Sequence, residues 1–151
     1  VNDYKELMEG IKLAGKYDDI VLIEKYINGR EITVGILGNK ALPIVEIIPD
    51  HELYDYKCKY TPGMSQYLCP AEINSKKEKQ IRHDSEKIFK ILGCSGYGRI
   101  DYLLDENGRH FFLELNTLPG MTSTSLLPMA AKKSGKSFAQ LVDIIIRLSL
   151  R

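Results

Sequence analysis

The sequence lacks most of the features that mark a membrane, nucleic-acid-binding or disulfide-stapled protein. No apolar run approaches the length of a spanning helix, and no signal peptide is visible. Neither sign of charge dominates: Lys plus Arg is 21 and Asp plus Glu is 20, a net charge of +1. There is thus no bulk electrostatic pull toward nucleic acid or membrane. Cysteine is scarce. Cys58, Cys69 and Cys94 form an odd set with no C-x-x-C spacing, which argues against a disulfide framework or a zinc site and fits a reducing compartment, the cytoplasm. His51, His83 and His110 have no ligand-spaced partners and read as surface or loop residues. The sequence also has no glycine-rich phosphate loop, internal repeat or low-complexity tract.

What is present is one domain's worth of ordinary globular chain. Its 151 residues, 44% hydrophobic and 27% charged, can bury about two thirds of their unfolded surface. Asp3 and Glu6 have capping-box spacing before a helix carried by Tyr4, Leu7, Met8, Ile11 and Ala14 and ended by Gly15. Residues 21–27 read as a short strand ending at Asn28-Gly29. Residues 30–37 and 41–48 are rich in β-branched side chains and meet at Gly38-Asn39, a hairpin in which Pro43 belongs at an edge or bulge.

From Pro49 to Ala71 the pattern is irregular, with Tyr54, Tyr56, Tyr60, Tyr67 and the turn pair Pro62-Gly63, as in a functional loop or a concealed strand. Ser75 and Glu78 form a second capping box before Ile81, Ser85, Ile88, Phe89 and Leu92, with Gly93 as the stop. Residues 119–125 form a small-residue loop. Ser137 and Gln140 cap a last helix whose buried face holds Phe138, Leu141, Val142, Ile145 and Leu148. Local strand pairing with interspersed helices predicts an α+β fold, one antiparallel sheet backed by helices.

The most telling segment is a second hairpin. Asn107-Gly108 lies between two apolar runs and predicts a type I′ turn. That register pairs Leu104 with Phe111, Leu103 with Phe112, Tyr102 with Leu113, Asp101 with Glu114, and Arg99 with Asn116. Side chains alternate with a period of two, so Arg99, Asp101, Glu114 and Asn116 share one face with Leu103 and Phe112. Two carboxylates facing each other at ~5 Å repel by about 3 kcal/mol at an effective dielectric of ~20. A wet sheet face would relieve this, but the apolar neighbours disfavour one. A hard divalent cation turns the repulsion into coordination, and the oxygens of Asp101, Glu114 and Asn116 suit Mg²⁺ completed by water and phosphate.

These residues, with others in the same order, resemble one family. Glu24-Lys25-Tyr26-Ile27, Tyr54-Asp55-Tyr56-Lys57-Cys58-Lys59-Tyr60, Gly98-Arg99-Ile100-Asp101, Glu114-Leu115-Asn116-Thr117, Pro119-Gly120-Met121-Thr122 and Ser125-Leu126-Leu127-Pro128-Met129-Ala130-Ala131 look like the C-terminal part of a D-alanine–D-alanine ligase, an ATP-grasp enzyme. The resemblance implies an ATP-grasp C-terminal subdomain. It also implies ADP-forming ligation of two D-alanines through an acyl phosphate for peptidoglycan precursor synthesis, in a homodimeric parent. By position, Glu24 and the backbone of Lys25, Tyr26 and Ile27 match an adenine hinge, which otherwise reads as an ordinary strand end. Glu31 would reach the ribose, and Tyr26 and Leu113 would pack on adenine.

Asp101, Glu114 and Asn116 match the ligands of Mg²⁺ or Mn²⁺. Arg99 and the Gly120 N–H match the stabilisers of the tetrahedral oxyanion, where a glycine tolerates close approach of substrate. For Arg99 the alternative is a structural salt bridge to Asp101 or Glu114. Ser125 and the Leu126 N–H would receive the second D-alanine's carboxylate. Lys59 would meet phosphate oxygens and Tyr60 would close the loop, with a tyrosine there resembling ligases that make the dipeptide rather than an ester.

The departures are the family's glycine-rich phosphate loop with its lysine, and its N-terminal domain. Residues 1–151 thus read as the C-terminal part of the ATP-grasp domain, turning over poorly alone. Two alternatives stand: another ATP-grasp carboxylate–amine ligase, against which Lys59-Tyr60 and residues 119–125 argue, and a non-catalytic Mg²⁺ or nucleotide-binding module.

Overall fold

The strongest β pattern in the chain becomes the middle of its sheet. The computed structural model describes residues 1–49 and 65–150. Helix α1 (Tyr4–Ala14) precedes β1 (Arg30–Leu37), β2 (Lys40–Pro49) and β3 (Ser65–Leu68). Then come α2 (Ser75–Ile91), β4 (Tyr97–Leu104), β5 (His110–Asn116), α3 (Leu126–Lys133) and α4 (Phe138–Ser149). The sheet is antiparallel throughout, in the order β3-β2-β1-β4-β5. This is the expected α+β arrangement of one sheet backed by helices.

Strand β1 is buried on both faces because helices cover both. Ile32, Val34 and Ile36 of β1 join Ile100, Tyr102 and Leu104 of β4 against Ile81 and Phe89 of α2. On the other face Leu37, Leu42 and Val45 pack on Leu127, Ala130 and Ala131 of α3 and Leu141 of α4. Gly35 makes that second contact possible: a Cβ there would lie 2.6 Å from Leu127 Cδ1. Beyond α3 the same face turns polar, presenting Glu31 and Thr33 on β1, Arg99 and Asp101 on β4, and Glu114 and Asn116 on β5.

Most helix starts follow the expected caps. The Asp3 carboxylate accepts the Glu6 N–H at 2.8 Å, and Ser137 with Gln140 makes a complete capping box. For α2 the cap is Asn74 rather than Ser75: its side chain accepts the Lys76 N–H at 2.9 Å, and Ser75 becomes the first helical residue. In α4 only Leu141 is fully buried, and Phe138 is exposed. At the first hairpin, Leu37 pairs with Lys40 across Gly38-Asn39, with positive φ at Gly38 only, the pattern of a II′ turn. Pro43 lies in the register shift opposite Val34 and Ile36, so the bulge absorbs its missing N–H as expected.

One expected strand is missing, the concealed strand offered as an alternative is present, and one helix was not anticipated, each for an identifiable reason. Residues 21–27 form no strand: β propensity needs a ladder to pair with, no described strand supplies one, and Leu22, Ile23 and Tyr26 stay exposed. Strand β3 was concealed because a four-residue edge strand, Ser-Gln-Tyr-Leu, is too short to show alternation; it pairs with Glu46–Pro49. Helix α3 was hidden by Pro128, which sits in the first turn, where a missing N–H costs nothing. Leu127, Ala130 and Ala131 at i, i+3 and i+4 carry its helical signal.

The acid hairpin reaches its expected pairing by a different route. Gly108 has φ +72°, while no described non-glycine residue, Asn107 included, has positive φ, so the turn is not type I′. Instead the Asp105 C=O accepts the Gly108 N–H and the Asp105 N–H donates to the Arg109 C=O, both at 3.0 Å. This is a three-residue loop with a left-handed glycine closing it. The strands therefore start one residue out of the expected register: Leu104 faces His110, Leu103 faces Phe111 and Tyr102 faces Phe112. A bulge at Leu113 then adds one residue and restores Asp101 opposite Glu114 and Arg99 opposite Asn116. Phe112 accordingly belongs with Tyr102, their rings edge to face at 6.3 Å, and Phe111 takes the place beside Leu103 that was expected for Phe112.

The Asp105 carboxylate sits below the usual range. Burial pushes it up, but the Arg109 backbone N–H and guanidinium, each at 2.7 Å, outweigh that and keep the turn closed. Nor is His110 an isolated surface residue. Its Nε2 lies 3.0 Å from Asp84 on α2, and its ring meets Tyr102 edge-on at 5.6 Å. Tyr102 is pushed up to about 12 by burial, with Asp84 adding to the rise and the Ser85 hydrogen bond opposing it. Its hydroxyl therefore stays neutral and bonded to Ser85 at 2.8 Å. Of the other predicted loop or thiol residues, Cys69 and Cys94 are half-buried free cysteines, while His51 and Cys58 lie outside the described residues.

Candidate functional site

Three adjacent rows across β1, β4 and β5 build the polar face. Glu31, Leu103 and Phe111 form one; Thr33, Asp101 and Glu114 the next; Gly35, Arg99 and Asn116 the third. Residues paired across a ladder share a face, so the register brings the predicted cation ligands together on one side. Asp101 is 4% exposed, whereas Glu114 is exposed.

Asp101 is not bare. Arg99 holds it with two bonds, Nε to Oδ1 at 2.9 Å and a terminal nitrogen to Oδ2 at 2.8 Å. Thr33 Oγ1 donates to Oδ1 at 2.5 Å. The guanidinium therefore neutralises much of the Asp101–Glu114 repulsion, and that repulsion alone does not require a cation. The donor chemistry still fits one. Each carboxylate oxygen offers two lone-pair sites, and Asp101 Oδ2 accepts only from Arg99 among the described residues. Asn116 Oδ1 accepts one bond, from the Leu118 N–H at 3.0 Å. Three hard oxygens on one face suit Mg²⁺ with water and phosphate completing the shell. No cluster of three or more His, Cys, Asp or Glu occurs among the described residues, so no all-protein cage is formed there.

From Asn116 the chain runs into residues 117–125 and then α3, whose Leu127 lies over Gly35, the cross-strand neighbour of Arg99. Pro119 is buried and anchors this loop. Ser125 is the N-cap of α3, yet its side chain makes no cap hydrogen bond. It turns back instead: Ser125 Oγ accepts the Thr122 N–H at 3.0 Å and lies 2.8 Å from Thr122 Oγ1. The first N–H groups of α3, Leu126 among them, are left without that partner at a partially positive helix end, which suits a carboxylate. At Gly120 an added Cβ would lie 2.9 Å from Ser125 Oγ, so a larger residue there would displace that hydroxyl from Thr122.

The predicted nucleotide hinge lies across the hairpin tip. Lys25, Tyr26 and Ile27 face Leu104, Arg109 and Phe111 across a cavity of about 590 Å³. Glu24 and Leu113 are exposed and do not line it, and neither does Glu31, half-buried on β1. Tyr26 is 77% exposed. Gly29 sets the spacing: a Cβ there would lie 2.7 Å from the Leu104 carbonyl oxygen, and backbone cannot yield as a side chain can. Gly29→Ala should therefore cost about 1–3 kcal/mol in chemical denaturation and push residues 25–28 off the hairpin tip. Lys59 and Tyr60 lie outside the described residues.

Thr33 is the site residue that sequence reasoning missed. Its signal was a lone hydroxyl within Ile32-Thr33-Val34, but only the long-range β1–β4 register reveals its partner.

Comparison with known proteins bears on this geometry. A family model described as the D-ala D-ala ligase C-terminus matches residues 1–147. The D-alanine–D-alanine ligase of Methylacidiphilum infernorum is 51% identical over 149 residues, covering 99% of this chain and 49% of that protein. The ATP complex of the Bacillus anthracis D-alanine–D-alanine ligase superposes with a TM-score of 0.85 at 38% identity, over 100% of this chain and 49% of that one. The VanG D-Ala:D-Ser ligase of Enterococcus faecalis gives a TM-score of 0.82 at 36% identity, over 97% of this chain and 43% of that one. The chain spans about half the length of the curated relatives it matches.

Proposed function

Because the chain belongs to the D-alanine–D-alanine ligase C-terminal family, we propose that it provides the nucleotide, cation and second-substrate side of an ADP-forming ligase. The reaction joins two D-alanines for peptidoglycan precursor synthesis in the cytoplasm. The carboxylate of one D-alanine attacks the γ-phosphorus of ATP, and ADP leaves. The amine of the second attacks the resulting acyl phosphate, phosphate departs, and the nitrogen loses a proton.

In this reading Asp101, Glu114 and Asn116 would hold Mg²⁺ or Mn²⁺, which supplies neutralising charge to the phosphates when bound. Lys25, Tyr26 and Ile27 border the nucleotide, with Glu24, Glu31 and Leu113 at its margin; by the family likeness Lys59 would meet phosphate oxygens and Tyr60 would help close the loop. Arg99, pinned by Asp101, presents fixed positive charge and joins the Gly120 N–H in stabilising the oxyanion. A preorganised donor contributes about 3 kcal/mol in such sites. Ser125 and the N–H of Leu126 receive the second substrate's carboxylate.

The observation that carries this reading is the Asp101–Glu114 row, with Asn116 one row along, in a chain so similar to named ligases throughout. Calorimetric titration of ATP with and without Mg²⁺ tests it. Binding should tighten with the cation, and binding of equal strength in both conditions, or none in either, would leave only a scaffold.

A further inference from the structure

The hydroxyl of Thr33 has no role in the reaction just described, yet it makes the shortest contact to the buried carboxylate at the centre of the site. Thr33 is 1% exposed, sits directly across the β1–β4 ladder from Asp101, and donates to Oδ1 at 2.5 Å. The other acceptor within reach, the Ile100 carbonyl, is more distant at 3.3 Å. Arg99 already grips both oxygens of Asp101. A β-branched side chain on the central strand is stiff at χ1 and gives the carboxylate a second fixed point, on a different strand from Arg99.

The lone pairs give this fixed point a consequence. Oδ1 accepts from both Thr33 and Arg99 Nε, which fills its two acceptor sites. Oδ2 accepts from Arg99 alone among the described residues. We infer that Thr33 is a positioning residue for the cation site: by saturating Oδ1 it leaves Oδ2 as the oxygen of Asp101 that meets a divalent cation. The inference rests on the cation reading above and extends it to a residue on a strand that contributes none of the proposed ligands.

Thr33→Val keeps the shape and removes the donor, while Thr33→Ser keeps the donor. Mn²⁺ titration in the presence of ATP, followed by the electron paramagnetic resonance of free Mn²⁺, reads the site without turnover. Thermal unfolding of each variant monitors the fold. Loss of a group that orients a metal ligand lowers metal affinity by about 10–100-fold, and Thr33→Val should fall at the lower end of that range, with Thr33→Ser restoring most of the loss. A Thr33→Val protein that is less stable but binds Mn²⁺ as the parent does would make Thr33 a packing residue and overturn the inference alone. A parent chain that binds no Mn²⁺ with ATP would overturn the cation reading, and the inference with it.

Discussion

Asp101→Ala should lose about 3–5 kcal/mol of stability and all cation-dependent affinity for ATP. The stability loss comes mainly from what is left behind. The Arg99 side chain is 17% exposed and its partner's 6%, so removing the carboxylate takes the bidentate acceptor from a largely desolvated guanidinium and leaves the Thr33 hydroxyl only the more distant Ile100 carbonyl. Urea denaturation measures the first effect, and ATP titration with and without Mg²⁺ the second. A double variant separates them. Arg99→Met combined with Asp101→Leu replaces the ion pair by apolar groups and should recover much of the stability, because burying both charges is itself costly. It should not recover cation-dependent binding. Recovery of both would mean that the carboxylate serves the fold alone.

Leu127→Ala should cost about 3 kcal/mol, within the range for emptying a core leucine site. Leu127 is 1% exposed and its Cδ1 occupies the space a Cβ at Gly35 would need, 2.6 Å away. The same contact predicts a coupling. Gly35→Ala alone should cost about 1–3 kcal/mol by overpacking. With Leu127→Ala the new methyl enters the vacated space, so the pair should cost clearly less than the sum. Chemical denaturation of the two single variants and the double gives the coupling directly. Strict additivity would mean that α3 does not rest on β1 as described. If Ser125 and Leu126 at the start of α3 receive the second D-alanine's carboxylate as proposed, Leu127→Ala should also weaken that binding.

The local devices of the fold were readable from the residues. Asp3 and Ser137 cap their helices, Gly38-Asn39 turns the first hairpin, and Pro43 lies in a bulge, because each depends on neighbours within a few positions. The meeting of Asp101 with Glu114 was anticipated, although by an incorrect turn. The three-residue loop shifted the register one way and the Leu113 bulge shifted it back, and neither offset is encoded in simple alternation. Roles for Glu24, Lys25, Tyr26, Ile27, Ser125 and Leu126 came forward only through family likeness, since residues at a segment end or a helix start carry no local signal of a ligand.

The sequence by itself determined the α+β class, the hairpins, three of the four described helices and the family. All of these follow from side-chain pattern, turn chemistry and motif order over short spans. Tertiary structure alone decided that residues 21–27 stay unpaired, that Gly35 admits Leu127, and that Asp101 is clasped by Arg99 and Thr33. The physical reason is range. Thr33 and Asp101 are 68 residues apart, and their hydrogen bond exists because β1 and β4 pair at that register rather than because of anything near either residue in the chain.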